Sequence, residues 1–427
     1  MTSRLTKTVA ATLATAALLA YPASAFAAVT HPASSLAAVR QPADAFAAVS
    51  DPAHSTVLGI RGAVVSATPI AHLTAAQLDA AAAAFPGAPR ASYGVTAYRL
   101  IYRTIDHDGR PTTASGIVVL PDGRRGALTV VEYLHGTNAT KAYAASVDDA
   151  STDRLVTALF AGQGLVGVAP DYLGLGLGPG RHPYVDTKTE TTASADLLLA
   201  ARTFAARYGV ALKRDVLVTG FSQGGRASLA FGRALSRGEV GPFRLGEIRA
   251  VAGPYDLLGA ELPAAWDGRV LPATATFYLA YFVTSWNRTV GLYDDPREAF
   301  RAPYATTVEG LFDGTHTDEE IVAGLPDSPE KLFTPEFAER LQHPSGRFLR
   351  ALRAADRVCE DWTPRVPVRL YSGTGDTDVV AANADSCASS LVARGADVTV
   401  HSMGAVDHAG TAFAAYPQII RAYARWA

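Results

Sequence analysis

From residue 57 onward the chain alternates short β-branched apolar runs with amphipathic segments of helical period, and this constrains its fold more than any other feature. The strand-like runs are "YRLIYRTID" (98–106), "TASGIVVLP" (113–121), "LTVVEYLHG" (128–136), "LVGVAPDY" (165–172), "DVLVTGFS" (215–222), "IRAVAGPYD" (248–256), "PVRLYSGTGD" (367–376) and "DVTVHSMG" (397–404). Helical patterns occupy 188–208, 223–236, 380–394 and 410–426. Strands that alternate with helices predict an α/β architecture: a mostly parallel, eight-stranded sheet with helices on both faces. The first two strands have no helix between them and are expected to pair as a hairpin.

One interval breaks the rhythm. Residues 257–352 carry helical and aromatic segments without βα alternation, so the core domain is read as 57–256 plus 353–427, with a helical cap inserted between the sixth and seventh strands. Insertions at the C-terminal edge of a parallel sheet are where lids sit. The richest cap stretch, "TFYLAYFVTSW", supplies the rings Phe277, Tyr281 and Trp286 as candidate pocket residues. The other rings are read as the cap's own core.

The first residues read as an export signal. Arg4 and Lys7 precede the apolar run "TVAATLATAALLA" and then "PASAFA", with A-x-A cleavage sites after Ala25 or Ala27. The signal is assigned to 1–27. Residues 28–56 continue a proline-containing decamer repeat with too few large apolar side chains to build a core, and read as a disordered Ala/Pro-rich linker. The longest later apolar stretch, 272–286, falls short of the ~20 residues a membrane helix needs. A secreted or periplasmic protein is therefore expected. In an oxidising compartment Cys359 and Cys387, the only cysteines, can pair with none left over; two separate buried thiols are the alternative. With 38 basic and 40 acidic side chains the charge is balanced, which argues against a nucleic-acid partner.

Ser222 stands at the sharpest break in the pattern, "VLVTGFSQGGRASLAFGRAL" (216–235), where a strand runs through Gly220-Phe221-Ser222-Gln223-Gly224 into a helix. Glycines two residues to either side remove side chains that would clash in a tight strand-to-helix turn, which leaves the hydroxyl exposed above the sheet. A serine needs a base to take its proton and an acid to orient that base. Two later strands end in the required residues: "VRLYSG" runs into "TGDTDVV" and "DVTVHSMG" into "AVDHAG". Asp376 and His408 thus fall on loops at the same sheet edge as Ser222. Asp378 is the alternative acid, or else a cap for the following helix; His401 lies within a strand, and Asp407 reads as a solvated neighbour. Two backbone N–H donors are expected to hold an oxyanion, those of Gln223 and of Thr137, with Gly136 allowing close approach and His135 in a structural role.

Taken in order, "YLHGT", "VAPDYLGLG", "GFSQGG", "YSGTGD" and "DHAG" resemble the α/β-hydrolase fold, and within it the secreted lipases and esterases with a cap between the sixth and seventh strands. The resemblance covers about 57–427 and implies Ser222 as nucleophile, His408 as base, Asp376 as its partner, and Gln223 with Thr137 as oxyanion donors. Many relatives carry a proline where this chain has Ala381 in "DTDVVAA". The expected activity is hydrolysis of a small-molecule or lipid carboxylic ester through an acyl-enzyme, with no cofactor or metal and with transient lipid-interface contact left open, as is the oligomeric state. A peptidase or amidase on the same fold, and a non-catalytic binding protein, are the alternatives.

Two glycine-rich strings are set aside. "GQGLVG" (162–167) follows a helix and precedes a strand, the reverse of a dinucleotide-binding turn. "LGLGLGPG" (173–180) lacks the Lys and Ser/Thr of a phosphate loop and is expected to be a flexible loop near the site entrance.

Overall fold

A computed structural model describes residues 60–427; the signal (1–27) and the decamer-repeat linker (28–56) lie outside the described residues. The strands are β1 (Val64–Leu73), β2 (Val95–Ile105), β3 (Pro111–Pro121), β4 (Gly126–Leu134), β5 (Val166–Pro170), β6 (Val210–Phe221), β7 (Arg244–Val251), β8 (Val368–Ser372) and β9 (Val398–Ser402). They form one sheet in the order β1-β2-β3-β5-β4-β6-β7-β8-β9. Pairing is antiparallel from β1 to β5 and parallel from β5 to β9, with β2 and β3 as the expected hairpin.

The sheet has nine strands where the sequence predicts eight. The missed strand, β1, reads "VVSATPIAHL", is mostly exposed, contains Pro69 and slips register twice against β2. An edge strand with one free side tolerates proline and polar residues, and so lacks the apolar alternation that betrays a central strand.

The central strands are buried on both faces by helices. In β4, Leu128, Val130 and Leu134 join the core beneath helices Thr187–Ala206 and Gln223–Ser236. The alternate residues Val131 and Tyr133 join the opposite core, with helices Thr152–Gly162 and His408–Tyr423. This period-2 division of a strand that is buried on both faces, and apolar there apart from Thr129 and Glu132, is what a parallel sheet covered on both sides requires.

Between β7 and β8 the chain builds a helical cap with its own hydrophobic core, centred on helix Pro272–Val290 and including Phe312, Phe333 and Phe348. Its last helix runs to Asp356, four residues beyond the boundary read from the sequence. There the Asp356 carboxylate accepts the N–H groups of Leu257 and Leu258 at 2.9 and 3.0 Å, joining the cap's exit to its entry. Just past it, Cys359 and Cys387 form a disulfide, with Cα atoms 5.2 Å apart, that ties the returning chain to helix Ala382–Val392.

The glycine-rich segment 173–180 differs from expectation. Its first half is packed into the interior, with Leu175 fully buried. A Cβ at Gly174 would lie 2.3 Å from the backbone of Arg181, and one at Gly176 2.3 Å from the Asp171 carboxylate. These glycines admit close backbone packing at positive φ and do not confer mobility.

Candidate active site

Ser222 sits between the end of β6 and the first turn of helix Gln223–Ser236, at φ 55° and ψ −122°. This is a left-handed conformation, costing a non-glycine residue about 1–3 kcal/mol. The surroundings hold it there. Ser222 N–H donates to Val251 O at 2.9 Å, and the turn is too tight for side chains at the flanking glycines. A Cβ at Gly220 would meet Gly224 O at 2.3 Å, and one at Gly224 would meet Leu134 O at 1.9 Å.

His408 opens the helix His408–Tyr423, and its Nδ1 is 2.7 Å from Asp376 Oδ2. The other oxygen, Asp376 Oδ1, accepts the backbone N–H groups of Asp378 and Val379, each at 2.9 Å. The carboxylate is thus fixed through both oxygens. Burial pulls the His408 imidazole down, but the charge and hydrogen bond of Asp376, with Asp378 and Glu261 adding to them, raise it above the ordinary histidine value. Its outer nitrogen, Nε2, is buried without a hydrogen-bond partner, and His408 and Ser222 line the same cavity. No direct hydrogen bond joins Ser222 Oγ to Nε2; such contacts commonly tighten only when substrate is present.

Asp378 accepts a hydrogen bond from Tyr278 Oη of the cap at 3.1 Å, so the two aspartates face different partners. It does not cap the following helix, whose N-cap is Ala381 without a side-chain bond. Asp407, expected to be merely solvated, caps the His408 helix by accepting from Gly410 N–H at 2.7 Å. His401 stacks on Tyr371, with centroids 4.9 Å apart, and stays within the sheet.

On the opposite side of the serine, β4 ends in the loop carrying Gly136 and Thr137. A Cβ on Gly136 would lie 3.4 Å from Ser222 Cβ, so this backbone passes directly against Ser222. Thr137 lines the cavities on both sides of Ser222, and its hydroxyl bonds Tyr184 Oη at 2.7 Å. His135 is buried, with Nδ1 2.7 Å from Gly136 O and its ring against Tyr172.

Gln223 is anchored by residues that sequence reasoning missed. Its Nε2 donates to Glu190 Oε1 at 2.8 Å and to His182 Nε2 at 3.0 Å. His182 Nδ1 donates to Leu173 O at 2.8 Å; burial drives this imidazole down to about 3, leaving it neutral and its Nε2 an acceptor. Burial pushes Glu190 up to about 7, opposed by Arg226, whose guanidinium is 3.8 Å away and equally buried. The available signal was a glutamate and an arginine on the apolar faces of helices. It becomes legible only when the two helices are brought together.

Two cavities flank Ser222. The first, about 70 Å³, is walled by Leu262, Leu279 and Phe282, with Tyr278, Asp378 and Glu261 at its polar side. The second, about 220 Å³, contains His408 and extends between the sheet edge and the cap. The pocket candidates need correcting: Phe277, Tyr281 and Trp286 belong to the cap's core and do not line the first cavity. Tyr281 stacks on Tyr184 and Phe312, and its hydroxyl donates to Asn138 O at 3.1 Å. The helix instead turns Ala275, Tyr278, Leu279 and Phe282 toward the site, a stripe at i, i+3, i+4 and i+7. A helix apolar on every side does not reveal in sequence which stripe faces inward.

Among the described residues no group of three or more His, Cys, Asp or Glu side chains is placed to hold a metal, and no helix is long and apolar enough to cross a membrane.

No protein-family model matches the sequence, and no curated protein matches it. Solved structures do. The rice cell wall degrading esterase LipA from Xanthomonas oryzae superposes with a TM-score of 0.73 at 27% identity, over 86% of this chain and 97% of that one. A Legionella pneumophila protein described as a hydrolase gives a TM-score of 0.76 at 24% identity, over 85% and 98% of the two chains. Candida antarctica lipase A gives 0.61 at 14% identity, over 82% and 78%. The last two, at such low identity, speak to the fold alone. Sheet order, cap and strand-to-helix serine turn define an α/β-hydrolase fold. The chain shares this fold with the esterases and lipases it superposes on, and its similarity to the 27%-identical esterase supports ester hydrolysis at a coarse level.

Proposed function

We propose that this protein is a secreted serine carboxylesterase that cleaves short-acyl esters through an acyl-enzyme. One observation carries the reading: the His408–Asp376 contact at 2.7 Å leaves Nε2 unpartnered in a cavity it shares with the conformationally strained Ser222.

In this mechanism Ser222 Oγ attacks the ester carbonyl while His408 Nε2 takes its proton, and Asp376 stabilises the imidazolium that results. The backbone N–H groups of Gln223 and Thr137 receive the oxyanion, aided by the helix N-terminus at Gln223. His408 then returns the proton to the leaving alcohol, and water resolves the acyl-enzyme by the same steps in reverse. The leaving oxygen must therefore lie on the His408 side, in the larger cavity, and the acyl chain in the smaller one beside Gln223. An apolar cavity of about 70 Å³ supports a short acyl group. The disulfide supports an oxidising compartment.

The test is hydrolysis of p-nitrophenyl esters from acetate to palmitate by the native chain and by Ser222→Ala. Activity peaking at short chains, and reduced at least ~10⁴-fold in the variant, is expected. A rise toward palmitate would make it a lipase, and retained activity in Ser222→Ala would remove the serine from the mechanism.

A further inference from the structure

The cavity on the His408 side has a lining that a neutral alcohol does not explain. Its walls include the rings of Phe85, Tyr133, Phe413 and Tyr416, and it is lined by two carboxylates, one from the core domain and one from the cap. Asp153 comes from the first turn of helix Thr152–Gly162, where Tyr133 Oη donates to it at 2.6 Å. Asp318 comes from the cap, at the start of helix Asp318–Ala323. No lysine or arginine is among the lining residues. Among the lining residues the side-chain nitrogen left without a partner is His408 Nε2, on a residue more than nine-tenths buried.

We propose that this cavity is the subsite for a cationic alcohol, so that the preferred substrates are short-acyl esters whose alcohol carries an ammonium group. The inference rests on the reading of the chain as an ester hydrolase with His408 acting at the leaving oxygen. An ammonium between aromatic faces and carboxylates gains from the ring quadrupoles and from direct charge attraction. A fatty or glyceryl alcohol would instead desolvate Asp318 with no cation to offset the cost. An anionic alcohol would be repelled. Burial, with Glu319 nearby, already pushes Asp318 up to about 6, the response of a carboxylate lacking a cation. The chemistry balances with water alone. The Ser222 Oγ–acyl bond forms, the acyl–alkoxy bond breaks, and the amino alcohol leaves with the proton held by His408. Water then releases the acid.

The experiment compares kcat/KM for butyrylcholine and its uncharged isostere, 3,3-dimethylbutyl butyrate, followed by acid release at constant pH. The native chain is expected to prefer the choline ester by at least about tenfold. Asp318→Asn should shrink this ratio severalfold, whereas Glu239→Gln, at an exposed acid three residues past the end of the serine's helix, should leave it unchanged. Should Asp318→Asn not fold, the native ratio still decides, as does inhibition of p-nitrophenyl acetate hydrolysis by choline but not by 3,3-dimethylbutanol. Equal or faster cleavage of the uncharged ester overturns the proposal, as does a preference untouched by both Asp318→Asn and Asp153→Asn. Failure to cleave either butyrate or p-nitrophenyl acetate would instead overturn the ester-hydrolase reading beneath it.

Discussion

Replacing Gly224 by alanine adds one methyl group at the most crowded point of the serine turn. Its Cβ would lie 1.9 Å from Leu134 O, 2.4 Å from Leu134 C and 2.5 Å from His135 O. An ordinary carbon–oxygen contact is about 3.3 Å, so the helix N-terminus and the end of β4 must part by more than about 1 Å. Both sides are backbone, and no rotamer change relieves the overlap. The overlap lies between the turn carrying Ser222 and Gln223 and the end of β4 that leads into Thr137, so relieving it should part the two N–H groups proposed to hold the oxyanion. A misplacement of about 1 Å costs on the order of 10²-fold in rate, and forced overpacking about 1–3 kcal/mol in stability. Gly224→Ala is therefore expected to lower kcat/KM for p-nitrophenyl acetate at least ~100-fold and to lower the free energy of urea unfolding by ~2 kcal/mol. Gly310→Ala is the control, because a Cβ there meets nothing within 4 Å in helix Val308–Leu311. A Gly224→Ala enzyme within about threefold of native activity and of unchanged stability would refute the geometric account of the turn.

Three further outcomes are expected. Cys359→Ala with Cys387→Ala reopens a loop spanning 28 positions and should cost about 3–4 kcal/mol in urea unfolding on the chain-entropy account; a loss under about 1 kcal/mol would sink that account. Phe282→Ala enlarges the smaller cavity and should move the p-nitrophenyl ester optimum to longer chains, whereas Phe277→Ala should cost about 3–5 kcal/mol of stability without moving it; the same shift in both variants would contradict the assigned helix face. Burial raises Glu261 to about 8, opposed by the hydrogen bond from Asn383. The native state therefore holds a proton that the unfolded chain releases near pH ~4.3, and this stability is lost as pH rises toward 8. Urea midpoints at acid and mildly alkaline pH should fall less in Glu261→Gln than in the native chain, and equal falls would exclude Glu261 as the source.

Much of the fold was legible because its information is local. A strand buried on both faces must be largely apolar, and a helix packed on a sheet must be amphipathic, so the inner strands β3 to β8 could be placed from sequence, while β2 and the edge strand β9 were betrayed by their period-2 alternation. β1 could not, since an edge strand is relieved of that requirement. The serine turn was legible for the same reason: its two glycines are demanded by contacts within a few residues of Ser222 and with the adjoining strand. The order of Ser222, Asp376 and His408 followed from loops at one end of parallel strands.

What the tertiary structure decided were questions of direction and of partners distant in the chain. The sequence offered two aspartates two positions apart, and the folded loop turned Asp376 to His408 and Asp378 to Tyr278. It offered an aromatic cap helix, and packing against Phe312 and Tyr184 selected which rings became core and which stripe faced the site. Glu190, His182 and Gln223 lie in separate segments and meet only because the chain folds back beside Ser222. Periodicity records whether a side chain is buried; only the assembled molecule fixes what it is buried against.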